Sequence, residues 1–404
     1  MSCLDDYRMT LKGREFLPLM VGGMGTNIST SALVLAIEKL GGIAHLSDAM
    51  LPTVADKELG TDFTKQKTIL LKKFSGSFDK SLEKFDLAAL AEVSDRYFRN
   101  VMDKVSGKGL VLVNCMEKLS MNDQLGTLKA RLNSALNAGV DGITMSAGLH
   151  LNSLKLMQDN PRFKDALLGL VVSSTRALNL FLKRTSSIGR KLDYIVVEGP
   201  LAGGHLGFGE DWRNYKLENI VKDVVQHVKE CGLNIPVLGA GGVFSGQDGI
   251  NLIEQCGAAG AQVATRFTIA QESGLPQQVK EIYLDSKEED VVVNHLSPTG
   301  YLMRMLKSSP AITAKIHPNC ESYGYMLSGG SCPYLKEFEA QEQGAIRGEN
   351  SKCCLCTQMR NYKVWTCGTT VSKLKETVKR SASGWELPSA EQIWNDYRFG
   401  KNSK

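Results

Sequence analysis

The chain contains 404 residues, of which 43% are hydrophobic and 23% are charged, and its net charge is +5. This composition is typical of a globular protein with a large apolar core, and the length suits an α/β barrel with a small additional region. The modest positive charge, spread without a run of lysines, is compatible with a phosphorylated ligand and disfavours nucleic acid as a partner.

The sequence shows no sign of a membrane segment or of export. No stretch reaches the roughly 18 consecutive apolar residues that a membrane span needs. The N-terminal residues carry early acidic side chains and no apolar stretch, so they do not resemble a secretory signal. We therefore expect a cytoplasmic protein that does not contact a membrane.

Short apolar runs typical of buried strands recur along the chain, and helical patterns fill most of the gaps between them. The runs cover residues 17–23, 43–47, 109–115, 142–148, 169–174, 193–199, 235–242 and 259–267. They are almost continuously apolar, as are strands buried on both faces of a parallel sheet. Eight strands alternating with helices within about 250 residues predict a (β/α)8 TIM barrel over residues 1–310, with a doubly wound open sheet as the alternative.

Two regions do not follow this alternation. Residues 48–108 are too long for one connection, so we predict a barrel helix plus an inserted helical segment there. Residues 311–404 are predicted to form a cysteine-rich C-terminal appendage, with Cys320, Cys332, Cys353, Cys354, Cys356 and Cys367. Without an export signal, disulfides are the less favoured explanation, which leaves a zinc site, an iron–sulfur cluster, or reduced or redox-labile thiols.

The predicted barrel strands end in glycine-rich or polar segments, where barrels of this kind carry their chemistry. These ends include GGMG (22–25), EGPLAGGH (198–205), GAGG (239–242) and VATR (263–266). The last two follow the seventh and eighth strands, where barrels commonly bind phosphate. Glycines also form tight turns, but several glycine-bearing ends on one face favour a flat, phosphorylated ligand such as FMN. The sequence contains neither a P-loop nor a dinucleotide-binding glycine motif in the correct context.

Several motifs occur in a fixed order between about residues 15 and 310: PLMVGGMGTNIS, GLVLVNCM, SAGL, VVSSTRA, DYIVVEGPLAGGHLGF, IPVLGAGGV, GAQVATRF and SPTGYLMRML. Together they make the sequence resemble the nitronate monooxygenase family, once called 2-nitropropane dioxygenases. That family includes the flavin-dependent enoyl-ACP reductases and related NAD(P)H-dependent flavin oxidoreductases. The resemblance implies a (β/α)8 barrel that binds FMN non-covalently.

By motif, the resemblance implies His205 as the catalytic acid or base. The implied cofactor-binding residues are Gly22, Gly23, Met24, Asn114, Glu198, Gly203, Gly241, Gly242, Gln262, Val263, Ala264 and Thr265. The first three would face the isoalloxazine ring, and the residues from Gly241 onward would hold the phosphate. Ser173 and His150, near strand ends, are candidates for lining the substrate pocket, and Arg266 for either a phosphate contact or an ion pair.

Two segments depart from the family pattern. Ala264 stands where glycine is usual, which a negative φ would tolerate. Pro200 and Leu201 stand where the monooxygenases often carry a glutamate, and Glu198 replaces the glutamine of many members, whereas enoyl reductases often have glutamate. The Pro200–Leu201 segment favours the flavin oxidoreductase side of the family or a less characterised branch, and it does not define the substrate.

The leading hypothesis is an FMN-dependent nitronate monooxygenase that oxidises alkyl nitronates with O2 to carbonyl compounds and nitrite, with His205 as acid/base. One alternative is an NAD(P)H-dependent enoyl-ACP or quinone reductase with the same flavin site. Another is a flavin-binding redox sensor with the cysteine region as its signal element. For His205 the structural alternative is the capping of a loop.

Overall fold

The computed structural model describes residues 2–65, 86–117, 123–318, 332–346, 348, 351–382 and 384–400. Its strands in chain order are β1 (Met9–Leu11), β2 (Arg14–Phe16), β3 (Leu19–Val21), β4 (Ile43–Ser47), β5 (Leu110–Met116), β6 (Gly142–Ser146), β7 (Leu167–Val172), β8 (Tyr194–Glu198), β9 (Gly204–His205), β10 (Val237–Ala240), β11 (Gly260–Val263), β12 (Val291–Asn294), β13 (Met303–Leu306), β14 (Arg380–Ser381) and β15 (Gly384–Trp385). Eight of them, β3 to β8 with β10 and β11, are parallel and form a closed barrel. Closure through the β8–β10 and β11–β3 pairs confirms the predicted TIM barrel and excludes the open sheet.

Helices follow most of the barrel strands and continue into the C-terminal region. They are α1 (Ser31–Lys39), α2 (Leu51–Leu59), α3 (Leu87–Met102), α4 (Gln124–Asn137), α5 (Ser153–Met157), α6 (Thr175–Thr185), α7 (Leu217–Glu230), α8 (Gly246–Cys256), α9 (Gln277–Asp285), α10 (Pro310–Thr313), α11 (Pro333–Glu342), α12 (Leu355–Arg360) and α13 (Ala390–Phe399). Among these described helices, none is both long enough and apolar enough to cross a membrane.

Local sequence explains why the helices form and which side they bury. Thr30 caps α1, because its hydroxyl accepts a hydrogen bond from the Leu33 N–H at 3.1 Å. On α7, Val221, Val224 and Val228 are buried at the i, i+3 and i+7 spacing of an amphipathic helix. The apolar stripe of each such helix covers the outside of the barrel.

The N-terminal end of the barrel is closed by a hairpin that sequence analysis did not predict. β1 and β2 pair antiparallel, with Met9 opposite Phe16. Both side chains belong to one buried cluster with residues from the barrel strands, including Met20, Ile43, Leu110, Leu112, Leu167, Tyr194, Val196 and Leu238. This cluster is the apolar floor of the barrel interior, so any ligand site lies at the opposite, C-terminal end.

A second, three-stranded antiparallel sheet lies outside the barrel. β13 pairs with β12 on one side and with the short β9 on the other. In this sheet Gly204 is opposite Arg304, and His205 is opposite Met303. Because β9 follows β8 by only a short loop, the sheet holds His205 at the C-terminal end of the barrel.

The region between β4 and β5 contains the extra helical material that residues 48–108 were predicted to hold. Helices α2 and α3 pack against each other, and α3 also runs along α4. The segment 66–85, within the predicted insertion, lies outside the described residues. The predicted barrel helix of this region corresponds to α3.

The C-terminal region shares the main core of the barrel. The ring of Trp394 on α13 packs against Gly42, where a Cβ would lie only 2.6 Å from the ring. Asp396 forms an ion pair with buried Arg266 at 2.6 Å, which is one of the two roles expected for this arginine, and the phosphate contact stays a prediction. Val371, Leu374, Ile393, Trp394 and Tyr397 are members of the main buried cluster.

Candidate active site at the C-terminal end of the barrel

Three polar side chains face the barrel interior near the C-terminal ends of their strands: Asn114, Glu198 and Gln262. Leu112 and Val196, two residues before the first two, belong to the interior cluster, and side chains two apart in a strand share a face. Glu198 and Gln262 both pair in register with Ala240, so they flank the same strand. The interior thus changes from apolar at its floor to polar at this end.

One of these groups has an unsatisfied hydrogen-bonding atom. Gln262 Oε1 is buried and has no hydrogen-bond partner within the described part of the chain. A buried polar atom without a partner costs about 1–3 kcal/mol, so such atoms are uncommon outside sites that bind a ligand or water. The side chain of Gln262 therefore has unused hydrogen-bonding capacity for a ligand at this end of the barrel.

The glycines that follow β3 bring bare backbone against the same side chains. The Gly22 N–H donates to the Val263 carbonyl at 2.8 Å, which ties this end of β3 to β11. A Cβ on Gly23 would lie 2.5 Å from the Cβ of Asn114, and one on Gly22 would lie 3.1 Å from Gln262 Nε2. Any larger residue at these two positions would displace the polar side chains.

The segments after β10 and β11 have the backbone conformation that the sequence suggested. Gly241 and Gly242 have φ of +89° and +104°, a region that favours glycine. A Cβ on Gly241 would be 3.0 Å from both the Gly199 carbonyl oxygen and the Ala202 nitrogen. Ala264 has a φ of −141°, so the alanine at this position is not strained. Thr265 begins the short 3-10 helix Thr265–Ile269.

His205 lies beside a chain of hydroxyl groups. Its Nε2 is 2.7 Å from the Ser297 Oγ, which is in turn 2.7 Å from the Thr299 Oγ1. The Tyr301 ring meets the imidazole edge-on at 6.4 Å between centroids. Burial lowers the pKa of His205 to about 4, so the imidazole is neutral at neutral pH and can accept a proton.

The two residues expected to line the substrate pocket have different environments. Ser173 is half-buried, and its hydroxyl donates to the Gly207 carbonyl at 3.0 Å, two residues after His205. His150 is fully buried, with Nδ1 2.8 Å from the Ser153 hydroxyl and Nε2 2.6 Å from the Ser146 carbonyl. Both nitrogens of His150 are engaged within the protein, so its ring braces the loop after β6, and a role in lining the substrate pocket stays a prediction.

Gly203 has a close neighbour from a distant part of the chain. A Cβ at this position would lie 2.4 Å from the carbonyl carbon of Cys367. The absence of a side chain at Gly203 is therefore required by the C-terminal segment, independently of any contact with a cofactor.

Glu198 is half-buried, and burial raises its pKa to about 7, with no hydrogen bond or charge offsetting this effect within the described residues. A carboxyl group with a raised pKa binds its proton more tightly in the folded state than in the unfolded state. Its contribution to the free energy of unfolding therefore falls as the pH rises from about 4.5 to about 7.

We expect Glu198→Gln to remove this pH dependence. In FMN-free protein, the variant should gain up to about 3 kcal/mol in unfolding free energy relative to wild type between pH 4.5 and 8. Urea unfolding at several pH values measures this difference, with Glu15→Gln at an exposed position of β2 as the control. A difference that stays constant across this pH range would contradict the burial of an uncompensated carboxyl group.

Of the six C-terminal cysteines, Cys320 lies outside the described residues. Cys354 and Cys356 pack with Met50, Tyr334 and Phe338, and Cys332 lies against this cluster. Cys353 joins a separate cluster with Met303 and Met305, and Cys367 belongs to the main core. Within the described part of the chain, no three side chains of the metal-binding types come together. A zinc or iron–sulfur site in this region stays a prediction.

Sequence analysis missed the residues that position the His205 loop. Arg304 is buried on β13, and its guanidinium donates to the carbonyls of Pro200 and Ala202 and stacks over Trp212 at 4.5 Å. Ser297, which contacts His205, comes from the same later part of the chain. Arg304 lay within a recognised motif, but nothing in the sequence alone indicated that it would contact a loop about 100 residues away.

The fold and the site together define a (β/α)8 barrel with a ligand site at the C-terminal ends of its strands. A model of the nitronate monooxygenase family matches residues 11–318. The chain therefore belongs to the nitronate monooxygenase family.

Individual relatives are similar over shorter segments. A probable nitronate monooxygenase of Staphylococcus haemolyticus (strain JCSC1435) is 37% identical over 107 residues, which is 25% of this chain and 28% of that protein. A probable nitronate monooxygenase of Staphylococcus aureus (strain JH9) is 30% identical over 133 residues, 33% of this chain and 36% of that protein. These alignments span about a third of each relative.

Solved structures share the fold over nearly the whole chain. Nitroalkane oxidase from Streptomyces ansochromogenes has a TM-score of 0.56 at 15% identity and covers 97% of this chain and 96% of its own. FabK from Thermotoga maritima has a TM-score of 0.55 at 16% identity, covering 94% and 91%. The enoyl reductase domain of MlnA from Bacillus amyloliquefaciens has a TM-score of 0.58 at 12% identity, covering 94% and 93%. At these identities the similarity shows the fold alone.

Proposed function

We propose that this protein is an FMN-dependent oxidoreductase that oxidises alkyl nitronates with O2 to carbonyl compounds and nitrite. Membership of the nitronate monooxygenase family supports the reaction class. The observation that carries the proposal is the combination, at one end of the barrel, of an unsatisfied Gln262 Oε1, bare backbone at Gly22 and Gly23, and a neutral His205.

The residues present fit FMN. Gln262 Oε1 and the inward side chains of Asn114 and Glu198 offer hydrogen bonds to a polar ring edge or ribityl chain. Gly241 and Gly242, with positive φ, leave backbone without side chains after β10, and β10 pairs with β11, which precedes Thr265; a phosphate group would be held at these two strand ends. Met24, Gly203, Val263 and Ala264 complete the proposed set of cofactor contacts. FMN, when bound, would supply the electron transfer between substrate and O2.

The protein side chains would supply placement and proton transfer. We assign His205 as the group that takes a proton from the carbon beside the nitro group of a neutral nitroalkane, which gives the nitronate that is then oxidised, because its imidazole is neutral down to about pH 4. Ser297, at 2.7 Å from Nε2, fixes the orientation of the ring. Ser173, bonded to the loop just after His205, is proposed to line the substrate pocket.

The absorption spectrum and an anaerobic donor experiment test this proposal. We expect the purified protein to be yellow, with flavin absorption, and to consume O2 and release nitrite when it is given ethyl- or propyl-nitronate. We also expect NADH and NADPH not to bleach the flavin under anaerobic conditions. Fast bleaching by either nucleotide without reaction of the nitronates would favour an NAD(P)H-dependent enoyl-ACP or quinone reductase, and a colourless protein that binds no added FMN would contradict both.

A further inference from the structure

A short stretch of the C-terminal region, residues 366–370, returns to the barrel and is held there by several contacts. We call it the return segment. The Tyr283 hydroxyl donates to the Thr366 carbonyl at 2.8 Å, and Thr366 forms a β-bridge with Met305. The preceding carbonyl, that of Trp365, accepts from the Leu306 N–H at 3.0 Å. The return segment thus has a fixed position, although it lies beyond the part of the chain that matches the family, residues 11–318.

The backbone of the return segment contacts the backbone of the loop that precedes His205. A Cβ on Gly203 would lie 2.4 Å from the Cys367 carbonyl carbon and 2.6 Å from the Gly368 nitrogen. The Thr369 N–H donates to the Leu201 carbonyl at 3.2 Å. Two glycines, one on each side, therefore allow the two backbones to pack directly on each other.

The same segment reaches the residue expected to hold the phosphate. A Cβ on Gly368 would be 3.0 Å from the Thr265 Oγ1 and 3.2 Å from the Leu201 carbonyl oxygen. On its other side, Leu201 faces Gly242, where a Cβ would be 3.3 Å from the leucine side chain. The loop that contains Leu201 is therefore enclosed between the return segment and Gly242, one of the two glycines proposed to hold the phosphate.

We propose that the return segment is a positioning element of the FMN site, which fixes Leu201, Gly203 and Thr265 around the phosphate end of the cofactor. A loop that is already ordered costs less conformational entropy when a ligand binds, so fixing it raises the affinity. FMN affinity then depends on a part of the chain outside the family match. This inference rests on the proposed function, because it takes FMN as the ligand.

Substitution of Gly368 tests the inference. A valine there would place methyl groups against the Thr265 Oγ1 and the Leu201 carbonyl, so we expect Gly368→Val to raise the Kd for FMN about tenfold or more. Gly368→Ala, which adds one methyl group, should have a smaller effect in the same direction. The matched control is Gly348→Val, because a Cβ at Gly348 meets no atom of the described residues within 4 Å. Flavin fluorescence during titration of FMN-free protein measures each Kd.

Thermal unfolding of the FMN-free variants separates positioning from folding. If the valine displaces only residues of the FMN site, the melting temperature of Gly368→Val without FMN should lie within a few degrees of that of Gly348→Val. Added FMN should then raise the melting temperature of Gly368→Val by less than that of Gly348→Val. Wild-type affinity in a folded Gly368→Val variant would overturn the inference while leaving the proposed function intact. Failure of the wild-type protein to bind FMN would instead overturn the proposed function.

Amide hydrogen exchange of the wild-type protein provides a test that needs no variant. We expect added FMN to slow exchange in peptides that contain residues 366–370, with no change in peptides from α13. Unchanged exchange in the return segment on saturation with FMN would overturn the inference.

Discussion

Replacing His205 with asparagine is expected to lower turnover of a nitroalkane by roughly 10²–10⁴-fold while FMN stays bound, because a positioned general base contributes about that factor. Asparagine keeps a polar side chain near Ser297 but cannot accept the proton. A nitronate supplied as the anion has already lost that proton, so the same variant should lose much less activity with it. Oxygen consumption with each substrate and the flavin absorption of the purified variant measure both effects.

The control for this variant is His227→Asn on α7, where the histidine lies at the outer surface of the barrel and contacts Cys231. It should behave as wild type with both substrates. The pH dependence gives an independent check: since the pKa of His205 is lowered to about 4, kcat/KM should not fall with a pKa near 6.5 on the acidic side. Equal activity of His205→Asn and wild type with the nitroalkane would contradict the assigned role.

The barrel could be predicted from the sequence because its strands are buried on both faces. Segments such as β5 and β8 are almost continuously apolar, and each has a polar residue at or near its C-terminal end, Asn114 in β5 and Glu198 in β8. The pattern that reveals a strand therefore also locates its functional end, which is why Asn114, Glu198 and the glycines at 241 and 242 could be placed together. This reasoning needs only local sequence and the rule that parallel strands share one active end.

The remaining parts of the site depend on contacts that are distant in the sequence. β9 has only two residues, Gly204 and His205, and is a strand only because β13 supplies its partner. Gly203 also depends on a contact that is distant in the sequence. Its missing side chain suggested a ligand, but the structure places the backbone of Cys367 against it. A glycine shows that space is needed but does not show what fills it.

A buried ion pair that the sequence did not reveal holds β4 and β5 together beside Asn114. The Asp48 side chain accepts hydrogen bonds from the Cys115 Sγ and the Met116 N–H, both at 3.0 Å, and forms an ion pair with Arg131. Arg131 also donates to the Met116 carbonyl at 3.0 Å. The side chains of Asp48 and Arg131 are only 1% and 4% exposed, so removal of either charge leaves the other in a desolvated environment without its ion-pair partner.

We therefore expect Asp48→Asn to lower the free energy of unfolding by about 3–5 kcal/mol, which is the usual cost of breaking a buried ion pair. The control is Asp95→Asn, which breaks the exposed Asp95–Arg99 pair and should cost at most about 1 kcal/mol. The double variant Asp48→Leu, Arg131→Met removes both charges and should recover part of the lost free energy of unfolding.

Because the Asp48 N–H also donates to the Asn114 carbonyl at 3.1 Å, destabilisation here should weaken FMN binding as well. Urea unfolding and FMN titration measure the two effects, and equal costs for Asp48→Asn and Asp95→Asn would show that the buried charge of Arg131 finds compensation elsewhere.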